Sequence, residues 1–224
     1  MPSDVAPFRI AIVAGVSVGR WTKAWKERRP ETPLEVIPIP ESEQRSVLTE
    51  GIADVSFVRL PIDRDDLSVI RLYSEVPVVV VPKEHPIALF DSVTEADLAG
   101  EILRTEDPAD AVEVVAAGVG VLRVPHSVAR QYARKDVEAI TVSDAPETEI
   151  AIAWPTESTS PDVEYFVGIV RGRKASSSRG EAPTAPPPPT KQTTAKRPPQ
   201  RGAKKPQGGG PAAAGRKRGA RGSR

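Results

Sequence analysis

The chain has 224 residues, with 31 Lys and Arg against 30 Asp and Glu, two His and no Cys. Disulfides, thiolate nucleophiles and Cys-ligated metals are therefore excluded, and the length bounds the molecule to one ordinary domain or two small ones. The neutral average hides an asymmetry: residues 1–174 carry 19 Lys and Arg against 29 Asp and Glu, whereas residues 175–224 carry 12 against Glu181 alone. An acidic domain followed by a basic segment points to a polyanion as a candidate partner. The N-terminus has no basic stretch ahead of its short apolar run, so no signal peptide is expected. No stretch approaches the ~20 apolar residues of a membrane helix. A soluble, cytoplasmic protein without membrane contact is the expectation.

Phe8–Ala14 is a short continuous apolar run, as a strand buried on both faces requires. Gly15 to Gly19 turns the chain into a helix on which Trp21, Ala24 and Trp25 share a face. Ser17 is placed to cap that helix, and a helix N-terminus also favours negative charge. Leu34–Ile39 is a second strand, with Pro38 marking a sheet edge or strand end. Ser42 is expected to cap a helix through Gln44, Val47 and Leu48. That helix feeds a buried strand, Asp54–Val58, by way of Gly51. This strand–helix–strand–helix–strand order predicts right-handed crossovers on a parallel sheet. Ligands in such sheets sit beyond the carboxyl ends of the strands, which directs attention to the loop from Arg59 to Asp63.

Leu67–Leu72 reads as a strand, and Val76–Pro82, almost all valine, as a central or interlobe crossing strand. Thr94 with Asp97 three residues on has the form of a capping box. A strand at Glu101–Arg104, a helix over Pro108–Ala117 and a strand at Val119–Val124 follow. A helix over Ser127–Arg134 with Ser127 as its cap comes next. Strands at Ala139–Val142 and Glu149–Trp154, the latter alternating, lead to a last helix over Asp162–Val170.

These pieces in this order resemble the effector-binding domain of LysR-type transcriptional regulators. The matching stretches are FRIAIVAG, LTEGIADVSFVRLP, the Val76–Pro82 strand with KEHPIA, VTEADLAGEIL, VVAAGVGVLRVPHSVAR and EIAIAW. The resemblance implies an α/β, periplasmic-binding-protein-like fold: two lobes joined by crossing strands, with a ligand cleft between them. It divides the chain into an effector-binding domain over 1–174 and a tail over 175–224. Lobe I takes about 8–76 and 143–174, and lobe II about 77–142. Regulators of the family begin with a winged helix-turn-helix and a linker helix. Here seven residues precede the first strand, so that DNA reader is expected to be absent. The family's additional loop, helix and strand after the position of Arg104 also have no counterpart, which implies a shortened second lobe.

Carried over residue by residue, the family's ligand site falls on Ser17 and Val18 and on Arg59 and Leu60 with Pro61. It continues at Thr105 and at Pro125 with His126. A small organic acid is the candidate ligand, with Arg59 either pairing its carboxylate bidentately or lying solvated in its loop. His126 is read either as a site residue or as a surface histidine ahead of the Ser127 cap. Family domains pair through the first-lobe helix, here Trp21–Arg28, so a homodimer is implied.

No cofactor, metal site or catalytic group is expected, and the protein is read as non-enzymatic. Gly15-Val16-Ser17-Val18-Gly19 does match the letters of a nucleophile elbow, which keeps a serine hydrolase using Ser17, with Asp107 and His126, as the least favoured alternative. From Ala175 onward the chain is rich in Pro, Gly, Ser, Lys and Arg, and its apolar periodicity ends, so disorder is expected. The basic positions Lys196, Arg197, Arg201, Lys204, Lys205, Arg216, Lys217 and Arg218 suit contact with DNA or RNA phosphates without base readout. The functional expectation is a transcription-linked ligand sensor or accessory regulator with a nucleic-acid-contacting tail. The alternative is a nucleic-acid-associated scaffold whose cleft is vestigial.

Overall fold

The structure, a computed structural model, describes residues 6–172. The expected disorder of the tail and its phosphate contacts from Lys196 to Arg218 lie outside the described residues. In chain order the elements of the first part are β1 (Phe8–Ile12), α1 (Gly19–Arg28), β2 (Leu34–Pro38), α2 (Ser46–Thr49), β3 (Val55–Leu60) and β4 (Leu67–Glu75). The middle part comprises β5 (Pro77–Pro82), β6 (Ser92–Val93), β7 (Leu103–Arg104), α3 (Pro108–Ala116), β8 (Val121–Pro125), α4 (His126–Gln131) and β9 (Val137–Val142). β10 (Thr148–Pro155) and α5 (Pro161–Val170) complete the described chain. They build two five-stranded sheets, in the orders β2-β1-β3-β10-β4 and β6-β9-β5-β8-β7. The chain passes from the first sheet to the second at Val76 alone, and returns over 143–147.

The first lobe is held by aromatic packing. Trp21 and Trp25 lie one turn apart on α1, so both indoles face the sheet. Trp25 stacks on Phe8 with centroids 4.6 Å apart, and Trp21 on Phe57 at 4.9 Å. Phe166 of α5 meets Phe57 edge-on at 6.3 Å. The buried indole N–H of Trp25 is satisfied by the Thr32 carbonyl at 2.9 Å, as burial of a polar tip demands. β1 pairs in parallel with β2 and β3, as the crossover reading requires. β10 then inserts antiparallel between β3 and β4, so the sheet is mixed.

Four local expectations are corrected. Ser17 does not cap α1: the N-cap is Val18, without a side-chain bond, and Ser17 is exposed. Val16 and Val18 are both drawn into the core, which turns the residue between them outward. Ser42 does not cap a helix either. It lies in a 3₁₀ turn over Glu41–Glu43, and α2 begins only at Ser46, without a side-chain cap. Gln44, which would have continued the helix, instead accepts from Arg59 N–H (2.9 Å) and donates to the Arg59 carbonyl (3.0 Å), tying this turn to β3. Ser127 is the second residue of α4, behind the N-cap Pro125, and its hydroxyl is spent elsewhere. β10 shows no in–out alternation: Ile150 to Ala153 are all buried, because an interior strand of a two-sided sheet has no solvent face. Its Ile–Ala sequence alternates side-chain size rather than exposure.

The second lobe is built around β5. Successive valines point to opposite faces, so Val79 and Val81 join one cluster with Ile87, Leu98 and Ile140. Val78 and Val80 join another with Val112, Val115 and Leu122. The Thr94–Asp97 capping box is present, with Thr94 N–H donating to Asp97 Oδ2 at 2.8 Å, although it opens a 3₁₀ turn rather than an α-helix. Asp107 caps α3 by accepting from Ala109 N–H at 3.0 Å, a contact typically worth about 1 kcal/mol.

Candidate functional site

The lobes meet where β3 and β4 end and α4 begins. Arg59 is the penultimate residue of β3, not a loop residue, and is only 5 % exposed. Its apolar strand neighbours carry it into the interior, which removes the solvated-loop reading. The guanidinium is fully engaged: Nε donates to Glu75 Oε2 at 2.9 Å, Nη2 to the Ala14 carbonyl at 3.0 Å, and Nη1 to Glu41. Burying an ion pair costs several kcal/mol per charge unless such bonds compensate, and breaking one by removing a partner typically costs about 3–5 kcal/mol.

Glu75 is the last residue of β4, directly before the crossing at Val76, and is also 5 % exposed. Its two oxygens face different lobes. Oε2 takes Arg59, whereas Oε1 accepts from the Ser127 hydroxyl at the start of α4. A further bond joins the same two surfaces: Gly15 N–H donates to Gln131 Oε1 at 2.6 Å. His126 N–H donates to the Val76 carbonyl at 2.9 Å, continuing the β5–β8 pairing up to the crossing. Gly15 adopts φ +85°, and a Cβ there would lie 2.9 Å from Val128 N and against Ser127 Oγ. Only glycine lets the backbone of one lobe approach α4 so closely. Tyr73, near this group, has its phenol pushed up by burial first and by the Glu75 charge second, against the opposing pull of Arg59 and Arg20.

The site residues expected from the resemblance are partly gathered. Arg59 lies at the interlobe junction, and Pro125 and His126 stand at the adjoining end of β8 and start of α4. His126 reaches the junction through its backbone, while the residue is exposed. Ser17 and Val18 follow the Ala14–Gly15 turn, with Ser17 facing solvent and Val18 buried. Leu60 is half-buried beside Arg59. Thr105 is exposed at the end of β7, where its N–H donates to Glu106; among the described residues it makes no recorded contact with the Arg59 group. Glu75, Ser127, Glu41 and Gln131 were missed. Ser127 reads as a helix cap, and Glu75 falls between the two expected strands Leu67–Leu72 and Val76–Pro82. The available signal was a lone carboxylate wedged immediately before an all-apolar crossing strand.

The elbow-like letters around Ser17 build no nucleophile. Among the described residues the Ser17 hydroxyl makes no hydrogen bond, so no base holds its proton. His85 accepts from Ile87 N–H at 3.3 Å and lies 3.5 Å from Glu101, a structural role in the second lobe. Among the described residues no group of three or more His, Cys, Asp or Glu is arranged to hold a metal. No helix among them is long and apolar enough to cross a membrane. Two surface recesses, of about 470 Å³ beside Lys83, Arg134 and Lys135 and about 420 Å³ beside Asp54, Asp66 and Glu157, lie away from the Arg59–Glu75–Ser127 junction.

The model of the LysR substrate binding domain family matches residues 7–105 and 101–175. The chain belongs to this family. Among curated relatives, the Hca operon transcriptional activator HcaR of Escherichia coli K12 is 23% identical over 179 residues, 66% of this chain and 60% of that protein. The HTH-type transcriptional regulator CatR of Pseudomonas putida is 31% identical over 152 residues, 54% of this chain and 52% of that protein. The chain thus spans little more than half the length of these curated relatives. The solved effector binding domain of BenM with its effector benzoate superposes with a TM-score of 0.63 at 21% identity, covering 80% of this chain and 96% of that one. Full-length CbnR complexed with its target DNA gives a TM-score of 0.63 at 19% identity, covering 75% and 68%. The LysR-type domain accordingly has the periplasmic-binding-protein-like fold.

Proposed function

We propose that this LysR-type domain senses a small molecule at the junction of its lobes and passes its state to the control of transcription. The observation that carries the reading is the buried Arg59–Glu75–Ser127 group: a charged pair placed where the two lobes touch couples lobe position to whatever competes for it. A small organic acid is the proposed ligand, with Ser17, Val18, Arg59, Leu60, Thr105, Pro125 and His126 as the residues around it. The basic positions from Lys196 to Arg218 would hold DNA or RNA phosphates, steeply weakened by salt. A homodimer is proposed through the outer face of α1. Trp21 and Trp25 are already committed to the core, so Lys23, Lys26 and Glu27 are the helix positions left to face a partner.

The test is thermal melting of the full chain against a panel of small organic acids and matched neutral compounds. A ligand that binds only the folded state raises the melting temperature with the logarithm of its concentration. No shift across the panel favours a scaffold with a vestigial cleft. Mobility shift of duplex DNA by the full chain and by residues 1–174 tests the basic segment. Equal binding by both removes that segment from the function.

A further inference from the structure

We propose that Glu75 is a tethered occupant of a carboxylate site between the lobes: Arg59 and Ser127 form the site, and the chain's own carboxylate fills it and holds the lobes together. This deepens the reading of the junction as a ligand site and rests on it. A carboxylate serving Arg59 alone commonly sets both oxygens on the guanidinium as a bidentate pair. Here Oε2 suffices for the guanidinium, and Glu41 and the Ala14 carbonyl already share that cation. The second oxygen is spent on Ser127 of the opposite lobe, beside the Gly15–Gln131 bond that ties the same two surfaces. Glu75 therefore spans the junction as a bound acid would, with one charge-assisted and one hydroxyl contact.

An independent observation marks the same place. Thr148 is the cross-strand neighbour of Glu75, so the two side chains leave the same face of the sheet. Its Oγ1 is buried and has no hydrogen-bond partner, a cost natural structures normally avoid. A donor left idle beside an internal carboxylate is a group held for a second occupant. A diffusible small acid would enter by exchange, its carboxylate taking Arg59 and Ser127 while Glu75 is released toward solvent. The chemical class follows from the donors: a monocarboxylate small enough to replace a Glu side-chain terminus.

The test is chemical rescue in the full chain. Glu75→Ala leaves a carboxylate-sized gap against Arg59 and Ser127, so sodium formate or acetate should raise its melting temperature by about 3 °C over sodium chloride of equal ionic strength. Wild type, in which the acid must first displace Glu75, should show a clearly smaller rise at the same concentration. Equal responses to acetate and chloride in the folded variant overturn the proposal, as does an acetate response equal in wild type. Should Glu75→Ala not fold, Ser127→Ala keeps the Arg59–Glu75 pair and cuts only the contact between lobes. Hydrogen exchange at the Gly15 amide, which is bonded across the junction to Gln131, should then accelerate at least tenfold, with the amides of β1 and β3 unchanged. An unchanged Gly15 amide overturns the proposal. Rescue of Glu75→Ala without any wild-type response to the acid panel would uphold the tethered carboxylate while rejecting ligand sensing. A wild-type response without rescue would do the reverse.

Discussion

The two lobes have the same number of strands and solve burial differently. The first closes one cluster around Phe8, Trp21, Trp25, Phe57 and Phe166, with helices on the sheet and large rings in mutual contact. The second has no aromatic among its buried residues and splits its apolar side chains into two small clusters on the two faces of β5. Its edge strands β6 and β7 are two residues long, and Leu89, Phe90 and Ile102 stay 88%, 59% and 63% exposed. Rings bury more area per residue than valine and add directional contacts, so each core position of the first lobe contributes more. The Glu75–Ser127 and Gly15–Gln131 bonds attach the second lobe to it.

The strongest way to break this contrast is at its centre. Trp25→Ala should destabilise the domain by about 3–5 kcal/mol, because it removes a fully buried ring from a core that cannot collapse around the gap. Denaturant unfolding would show it. A loss in the range of a single valine would mean that the aromatic cluster is not what holds the first lobe. In the second lobe, Val79→Ala should cost about 1.5–3 kcal/mol, and native-state hydrogen exchange should show the loss confined to β5, β8 and β9. Loss of protection spreading equally through β1 and β3 would show that the lobes unfold as one unit.

Matched helix caps sharpen the comparison at smaller scale. Ser160 accepts from Val163 N–H at 3.2 Å at the start of α5, and Asp107 caps α3 in the other lobe. Ser160→Ala and Asp107→Ala should each cost about 1 kcal/mol of local stability. Only the second should speed exchange in the second lobe without touching the first. The smallest effect concerns the exposed Asp97, whose carboxyl is held below the usual carboxylate range by the Thr94 backbone N–H and then by its hydroxyl. A folded-state value below the unfolded one adds stability above the ordinary Asp range, about pH 4, and loses it as pH falls through the lowered value. Asp97→Asn should therefore slightly flatten the acid limb of the melting temperature against pH profile, and an unchanged limb would remove the capping box from the energetics.

Much of the architecture was legible because it rests on local signals. The apolar run Phe8–Ala14, the Trp21–Trp25 spacing and the valines of β5 each have one economical burial, and the parallel pairing of β1, β2 and β3 follows from the helices between them. The caps were read less well. Ser17, Ser42 and Ser127 all carry the right side chain at the right offset, yet none caps a helix. In each case a distant partner outweighed the local bond: core burial of Val16 and Val18, the grip of Gln44 on β3, and the carboxylate of Glu75. Arg59 stands out in the sequence as a charge at the end of an apolar run, but its environment was not foreseeable, since Glu75 and Glu41 reach it from 16 and 18 residues away.

By itself the sequence determined the α/β class, the family resemblance and the acidic domain followed by a basic segment. Those depend on periodicity, residue order and charge, all of which are written along the chain. Only the tertiary structure decided that Arg59 is occupied, that Glu75 faces both lobes, and that Gly15 lets the lobes touch. A charge's partner is set by distance in space, and at this junction the donors and acceptors come from five separate stretches of chain.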